Sequence, residues 1–448
     1  MLKRILFFTE LALSLLVIAA LVALPGVRAQ AKKPSQALRQ IGEYQKKTQQ
    51  EYQRKAAQMM ERLSAGSKAG ASGAGDAVSF AELEPEEIDA SVIKFAAGLA
   101  SEFEINKWNG DELYALASVY QIAEQFTPAA EAFRAYLKSN SNSKVGANAR
   151  SGLIRALIET DRLAEAWNLL EGTEWDYADD PYVRVLRSGF YKDLASILLS
   201  RGQYAEAATI ANKGFRLAHL LSIGPNLYPA QRDFAARNLA VLGAIAVASS
   251  ERVGQKRKAE ETSRLILDFD VERRPELRQI YDTELAAARL VGTLAPELDV
   301  LRWIEERQET PRRLAELRGK VVALDFSAMW CGPCVAAFPH QRQFLSKYAN
   351  KGFEIIGVTK LYGRSDREES LSRDQEFKSL QAYKSRHQIT YPIAVGKMDD
   401  VTNEERYAVT GIPTMILIDR HGRVRYVKHG VGEYRKLEKQ IDKLIAEK

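Results

Sequence analysis

The chain has two cysteines, three positions apart in Cys331-Gly332-Pro333-Cys334. That spacing admits four chemistries. A structural zinc site needs four ligands, and there is no third cysteine, while none of the five histidines is spaced His-x-x-x-His. Haem attachment needs a histidine directly after the second cysteine, where Val335 stands. A purely structural disulfide here would close a tiny loop and constrain the unfolded chain little. A redox-active dithiol remains, and its context suits it: Trp330 to Cys334 falls between an expected strand and an expected helix start. The absence of other cysteines fits too, since stray thiols could mispair with this pair in an oxidising compartment. Neither a metal nor a cofactor is expected.

The elements that must hold these residues follow from pattern. Lys320 to Phe326 is a β-branched run, Cys334 to Tyr348 a helix, Phe353 to Thr359 a strand, Glu376 to His387 a helix and Tyr391 to Val395 a strand. Thr414 to Ile418 and Arg423 to Lys428 flank the turn Asp419-Arg420-His421-Gly422, and a last helix begins at Tyr434. Strands alternating with helices and closed by an antiparallel hairpin predict an α/β domain with a mixed sheet over residues 291–448.

At this point a resemblance becomes specific. Asp325-Phe326-Ser327-Ala328-Met329-Trp330-Cys331-Gly332-Pro333-Cys334 resembles the active-site segment of thioredoxin, and Gly411-Ile412-Pro413-Thr414 resembles that fold's cis-proline loop. Pro339 matches the kink proline of the active-site helix. The stretch between Lys360 and the cis-proline loop is similar to the TlpA-like, membrane-associated thiol-disulfide reductases. So are Ala295-Pro296-Glu297-Leu298 and Leu317-Arg318-Gly319-Lys320.

Cys331, at a helix N-terminus, is the expected nucleophile; Cys334, one turn inside, is the resolving thiol of this redox-active disulfide. The resemblance implies that Asp325 lies buried beneath Cys334, with a raised pKa, and shuttles its proton. Some TlpA-like members carry a functional Glu where this chain has Ala337, which leaves that part to Asp325. Lys360 resembles the lysine neighbouring this aspartate; an exposed strand-end lysine is the other reading. A cis Ile412-Pro413 bond would offer the Ile412 backbone to an extended client segment. Trp330, Gly332, Pro333, Ile412 and Gly430 complete the expected substrate-binding set, a small flat apolar rim. The Gly-Pro dipeptide between the cysteines accompanies the reducing end of the potential range, which favours a reductase over an oxidase. Peroxide reduction is disfavoured, because no Thr and Pro precede Cys331 at the peroxiredoxin-like spacing.

The rest of the 448 residues sets the context. Lys3 and Arg4, an apolar run from Leu11 to Leu24 and a small-residue site at Val27-Arg28-Ala29 predict a secretory signal over residues 1–29, with a retained membrane anchor as the second reading. The remainder is then exported, periplasmic or on the outer face of the cytoplasmic membrane, and the family resemblance implies a membrane thiol electron donor. Residues 30–80 read as a polar helix over 35–63, more spacer than association helix, followed by a Gly/Ala/Ser linker from Ala65 to Ala77.

Residues 81–290 read as an all-α array resembling degenerate tetratricopeptide repeats. Its first unit holds Leu113, Leu116, Ala117, Tyr120, Phe126, Ala129 and Phe133, with Tyr136 where a small residue is usual. The second holds Leu153, Leu157, Leu163, Ala166 and Leu170, and the third Leu194, Ala195, Leu198, Tyr204, Ala207 and Ala211. The alternative is a helical bundle that only packs. A formal charge of +6, with basic and acidic residues interleaved, argues against nucleic acid as a partner. The fold class is therefore a helical-repeat region followed by a thioredoxin-like domain. The function expected is an exported protein-disulfide reductase whose repeats recruit disulfide-containing clients or a partner complex; the alternative is a binding scaffold with an accessory redox domain.

Overall fold

The computed structural model describes residues 33–68, 85–140, 144–172, 181–224, 227–269, 274–304, 313–398 and 401–447. The expected export signal lies outside them. Among the described residues, no helix is long and apolar enough to cross a membrane. The chain divides into two compact units, Met1–Leu194 with Arg216–Asn238, and Ala195–Phe215 with Leu239–Lys448.

The first unit is helical, and its small residues explain how closely the helices approach. Gly110–Ile122 buries Leu113, Leu116, Ala117 and Tyr120, and Phe126–Asn140 buries Ala129 and Phe133. Tyr136 is buried as well, its ring 5.5 Å from that of Tyr114. A Cβ on Gly152, in helix Lys144–Glu159, would come 2.5 Å from the Phe133 ring, so glycine is what lets these two helices meet.

Helix Pro34–Lys68 differs from the expected spacer. Ala37, Leu38 and Ile41 are buried, Ser35 donates N–H and hydroxyl bonds of 2.9 and 2.7 Å to the Glu112 carboxylate, and Tyr44 stacks on Phe95 at 4.5 Å. The helix continues through Ala65–Lys68, into the expected linker; residues 69–77 of that linker lie outside the described residues.

In the second unit the sheet carries the site. Its strands are β1 (Val300–Ile304), β2 (Val321–Phe326), β3 (Phe353–Thr359), β4 (Ile393–Gly396), β5 (Thr414–Ile418) and β6 (Val424–His429), in the order β1-β4-β3-β2-β5-β6. β2, β3 and β4 run parallel, while β1, β5 and β6 pair antiparallel. The central β2 is buried along its whole length, which is why it reads as an unbroken apolar run interrupted only by Asp325.

The helices that bear on the site are α1 (Pro275–Leu290), α2 (Gly332–Val335), α3 (Phe338–Tyr348), α4 (Arg373–Arg386), α5 (Asn403–Arg406) and α6 (Tyr434–Ala446). The single helix expected from Cys334 to Tyr348 is thus broken in two. Pro339 has no N–H to give the Val335 carbonyl four residues back, so the helix ends there and restarts at Phe338. β1 was not foreseen; it is only five residues long, and its partner β4 is far off in sequence.

Between α1 and the sheet the chain is tied down. Gly292 N–H donates to Val424 O, Val424 N–H donates in turn to Thr293 O, and Ala295 N–H reaches Gly422 O at 2.9 Å. Arg252 donates to Val291 O at 2.7 Å, and its guanidinium lies 4.6 Å from the Tyr204 ring.

Candidate functional site

Cys331 and Cys334 are joined in a disulfide. Cys331 is the N-cap of α2, and its Sγ accepts the Cys334 N–H at 3.2 Å. Pro333 sits in the first turn, where the missing N–H costs nothing. Cys331 is 3% exposed and Cys334 1%. Both pack with Ala328 in one small cluster, against which Trp330, Tyr362 and Ile412 lie. Gly332 and Pro333 face solvent beside them.

The second wall is the loop before β5. The Ile412-Pro413 peptide bond is cis. Gly430, at φ +72°, donates its N–H to Pro413 O at 2.8 Å, tying the end of β6 to this loop, and a Cβ there would meet nothing within 4 Å. Thr410, just ahead of the loop, meets α1: its hydroxyl lies 3.3 Å from that of Thr283.

Asp325 is 2% exposed on β2, opposite Gly357 of β3 and Met415 of β5. Burial pushes its carboxyl up to about 6, against the pull of Gln341, Tyr391, Ser327 and the Lys428 charge. The Tyr391 hydroxyl is 3.2 Å from Asp325 Oδ2 and 2.5 Å from Gln341 Oε1. One proton cannot serve both. When Tyr391 donates to Gln341, its oxygen is left to accept from a protonated Asp325, so the neutral acid also has a partner. Gly357 makes room for this: a Cβ there would come 3.2 Å from the Tyr391 ring and 3.1 Å from Ile393.

Two placements differ from expectation. Lys360 is turned away from Asp325: its ammonium pairs with Glu404 at 3.7 Å and lies 5.6 Å from the centre of the Tyr362 ring. The cation acting on Asp325 is Lys428, 5% exposed on β6, whose ammonium donates to Gly430 O. The rim is also not flat, because the loop between β3 and α4 builds a roof on Trp330. Tyr362 meets the indole edge-on at 5.3 Å, and the Arg364 guanidinium lies 4.5 Å from the indole centre. Glu376, 2% exposed, holds the loop by accepting the N–H groups of Tyr362 and Gly363 at 2.7 and 2.8 Å. The Trp330 Nε1 is buried without a partner among the described residues, at a cost of about 1–3 kcal/mol.

Sequence reasoning missed Tyr362, Arg364, Glu376, Tyr391, Gln341 and Lys428. Only Lys428 left a readable trace, a charge two residues on from Tyr426 and four from Val424, on the face of β6 that Val424 buries.

A buried Cys-x-x-Cys disulfide between a central strand and a helix start, facing a cis-proline loop on a mixed sheet, defines a thioredoxin-like domain. The redoxin family model matches residues 290–445. The thiol-disulfide oxidoreductase ResA of Geobacillus thermodenitrificans is 29% identical over 154 residues, 34% of this chain and 78% of that protein. ResA of a Bacillus cereus strain is 30% identical over 133 residues, 29% of this chain and 67% of that protein. A solved thiol-disulfide isomerase from Corynebacterium glutamicum is 25% identical and covers 34% of this chain and 98% of its own, with a TM-score of 0.30. Through its C-terminal third, the chain belongs to the ResA/TlpA-like thiol-disulfide oxidoreductases. It is a thiol-disulfide oxidoreductase with a mostly helical N-terminal two-thirds.

Proposed function

We propose that the protein is an exported reductase of protein disulfides, in which residues 291–448 do the chemistry and the helical region of 81–290 recruits clients. One observation carries the assignment of roles: Cys331 Sγ accepts the Cys334 N–H at the start of α2, an arrangement that stabilises a thiolate on Cys331 once the pair is reduced. Cys331 then attacks a client disulfide, one client sulfur leaves as a thiolate, and a mixed disulfide forms. Cys334 gives its proton to Asp325 and attacks Cys331, which releases the client as a dithiol and leaves the enzyme oxidised. The Ile412 backbone, next to the sulfurs' cluster, suits a client segment added as a short strand. Electrons return from a membrane thiol donor, a role that the family resemblance implies. The Gly-Pro dipeptide supports the reducing direction.

The test uses the full chain with Cys334→Ser. This variant should accumulate client mixed disulfides on Cys331, and reduced wild-type protein should reduce the same clients. Trapping on Cys334 in the converse Cys331→Ser variant, together with none on Cys331 in Cys334→Ser, would overturn the roles. Net oxidation of reduced clients would overturn the direction.

A further inference from the structure

We propose that Arg364 is a specificity-determining residue of the dithiol site, favouring clients with a carboxylate next to the cysteine being exchanged. The proposal rests on the thiol-disulfide reading above and deepens it.

The side chain is aimed by a braced loop. Glu376 fixes its base through Tyr362 and Gly363, and Gly363 O accepts the Leu371 N–H at 2.7 Å. Within the loop, Ser365 Oγ accepts the N–H groups of Arg367 and Glu368 at 3.2 and 3.1 Å, and Asp366 pairs with Arg386 at 2.7 Å. Arg364 is therefore carried in place, so little ordering is left to a client. Its guanidinium stacks on Trp330, the residue before Cys331, and stacking occupies the face of the group while leaving the N–H donors at its edge.

The charge is also available. Lys360 is matched by Glu404 and Arg386 by Asp366. Arg364 has Glu369 at 3.5 Å, and that carboxylate is 73% exposed, so an incoming carboxylate competes with a hydrated, loosely held one. A client docked along Ile412 lies beside Trp330 as it meets Cys331, since all three belong to the same cluster. The donor fork then meets an acidic residue flanking the client cysteine.

The test follows disulfide exchange between the reduced full-length protein and two peptide disulfides that differ only in Asp or Lys beside the half-cystine. The wild type should exchange with the Asp peptide about 3- to 10-fold faster, with the gap closing at high salt. Arg364→Glu should reverse the preference, and Arg364→Lys should keep part of it. Arg364→Gln, which adds no new charge, should bring the two rates together and covers the case in which the Glu variant misfolds. An Asp/Lys ratio unchanged in Arg364→Gln overturns the proposal and leaves the oxidoreductase reading standing. No exchange with either peptide overturns both.

Discussion

Asp325 shows how one buried group can link fold stability to chemistry. Its carboxyl, pushed up to about 6, binds a proton in the folded protein that the unfolded chain releases near the ordinary carboxylate value of ~3.9. The stabilisation from this group is complete below pH ~4 and is lost as pH rises through about 6, a fall of about 3 kcal/mol. Asp325→Asn should remove that slope, so the stability difference between variant and wild type, measured by urea unfolding, should grow in the variant's favour from about pH 4.5 to about 7.5. A constant difference would mean that Asp325 does not titrate between those values. The same variant should slow resolution of the Cys331 mixed disulfide by about 10²- to 10⁴-fold in a single-turnover assay while sparing the first attack. In the reduced protein, iodoacetamide should label Cys331 before Cys334, and the reverse order would exchange their roles. At this scale the sequence was most legible where chemistry is local. Cys331, Cys334 and Asp325 stand within ten residues, whereas Tyr391, Gln341 and Lys428 reach Asp325 only through sheet register and helix packing.

At the scale of elements, strands were legible where burial is continuous or alternation is clean. β3 and β5 lie where the pattern put them. β1 was missed, and the roof over Trp330 could not be read, because its anchor is a carboxylate on the next helix accepting backbone N–H groups that no spacing rule marks. Gly357 tests how tightly β3 and Tyr391 are fitted. Gly357→Ala must push back both Tyr391 and Ile393, and should cost about 1–3 kcal/mol in a thermal or urea melt. It should also weaken the bond between Tyr391 and Asp325, moving the pH dependence described above. An alanine variant as stable as wild type would show that β4 can yield at no cost. Glu376→Gln keeps the shape but leaves one acceptor oxygen for the two N–H groups, so one bond is lost and the other loses its charge, and Trp330 fluorescence should report a loosened roof even where the fold survives.

At the scale of the whole molecule, the helical character of the N-terminal two-thirds was legible from its 3- and 4-residue apolar steps, but the bonds that tie the end of the helical region to the chain after it were not. α1, Gly292 and Arg252 are bonded to the chain that carries the sheet. Arg252→Ala should therefore lower the stability of the second unit by about 1–2 kcal/mol, seen as faster hydrogen exchange along residues 289–295. Exchange that is unchanged there would show that the packing of α1 suffices alone. The antiparallel pairing of β1 with β4 bears on how the chain is made. About 90 residues separate Ile304 from Ile393, a loop whose closure entropy rises only logarithmically with length but whose ends meet slowly. During synthesis, both cysteines emerge while β1 still waits for its neighbour. They are close enough in sequence to find each other without help from the sheet. Oxidation of the pair can thus precede assembly of the fold, whose β1–β4 pairing joins an early strand to a late one.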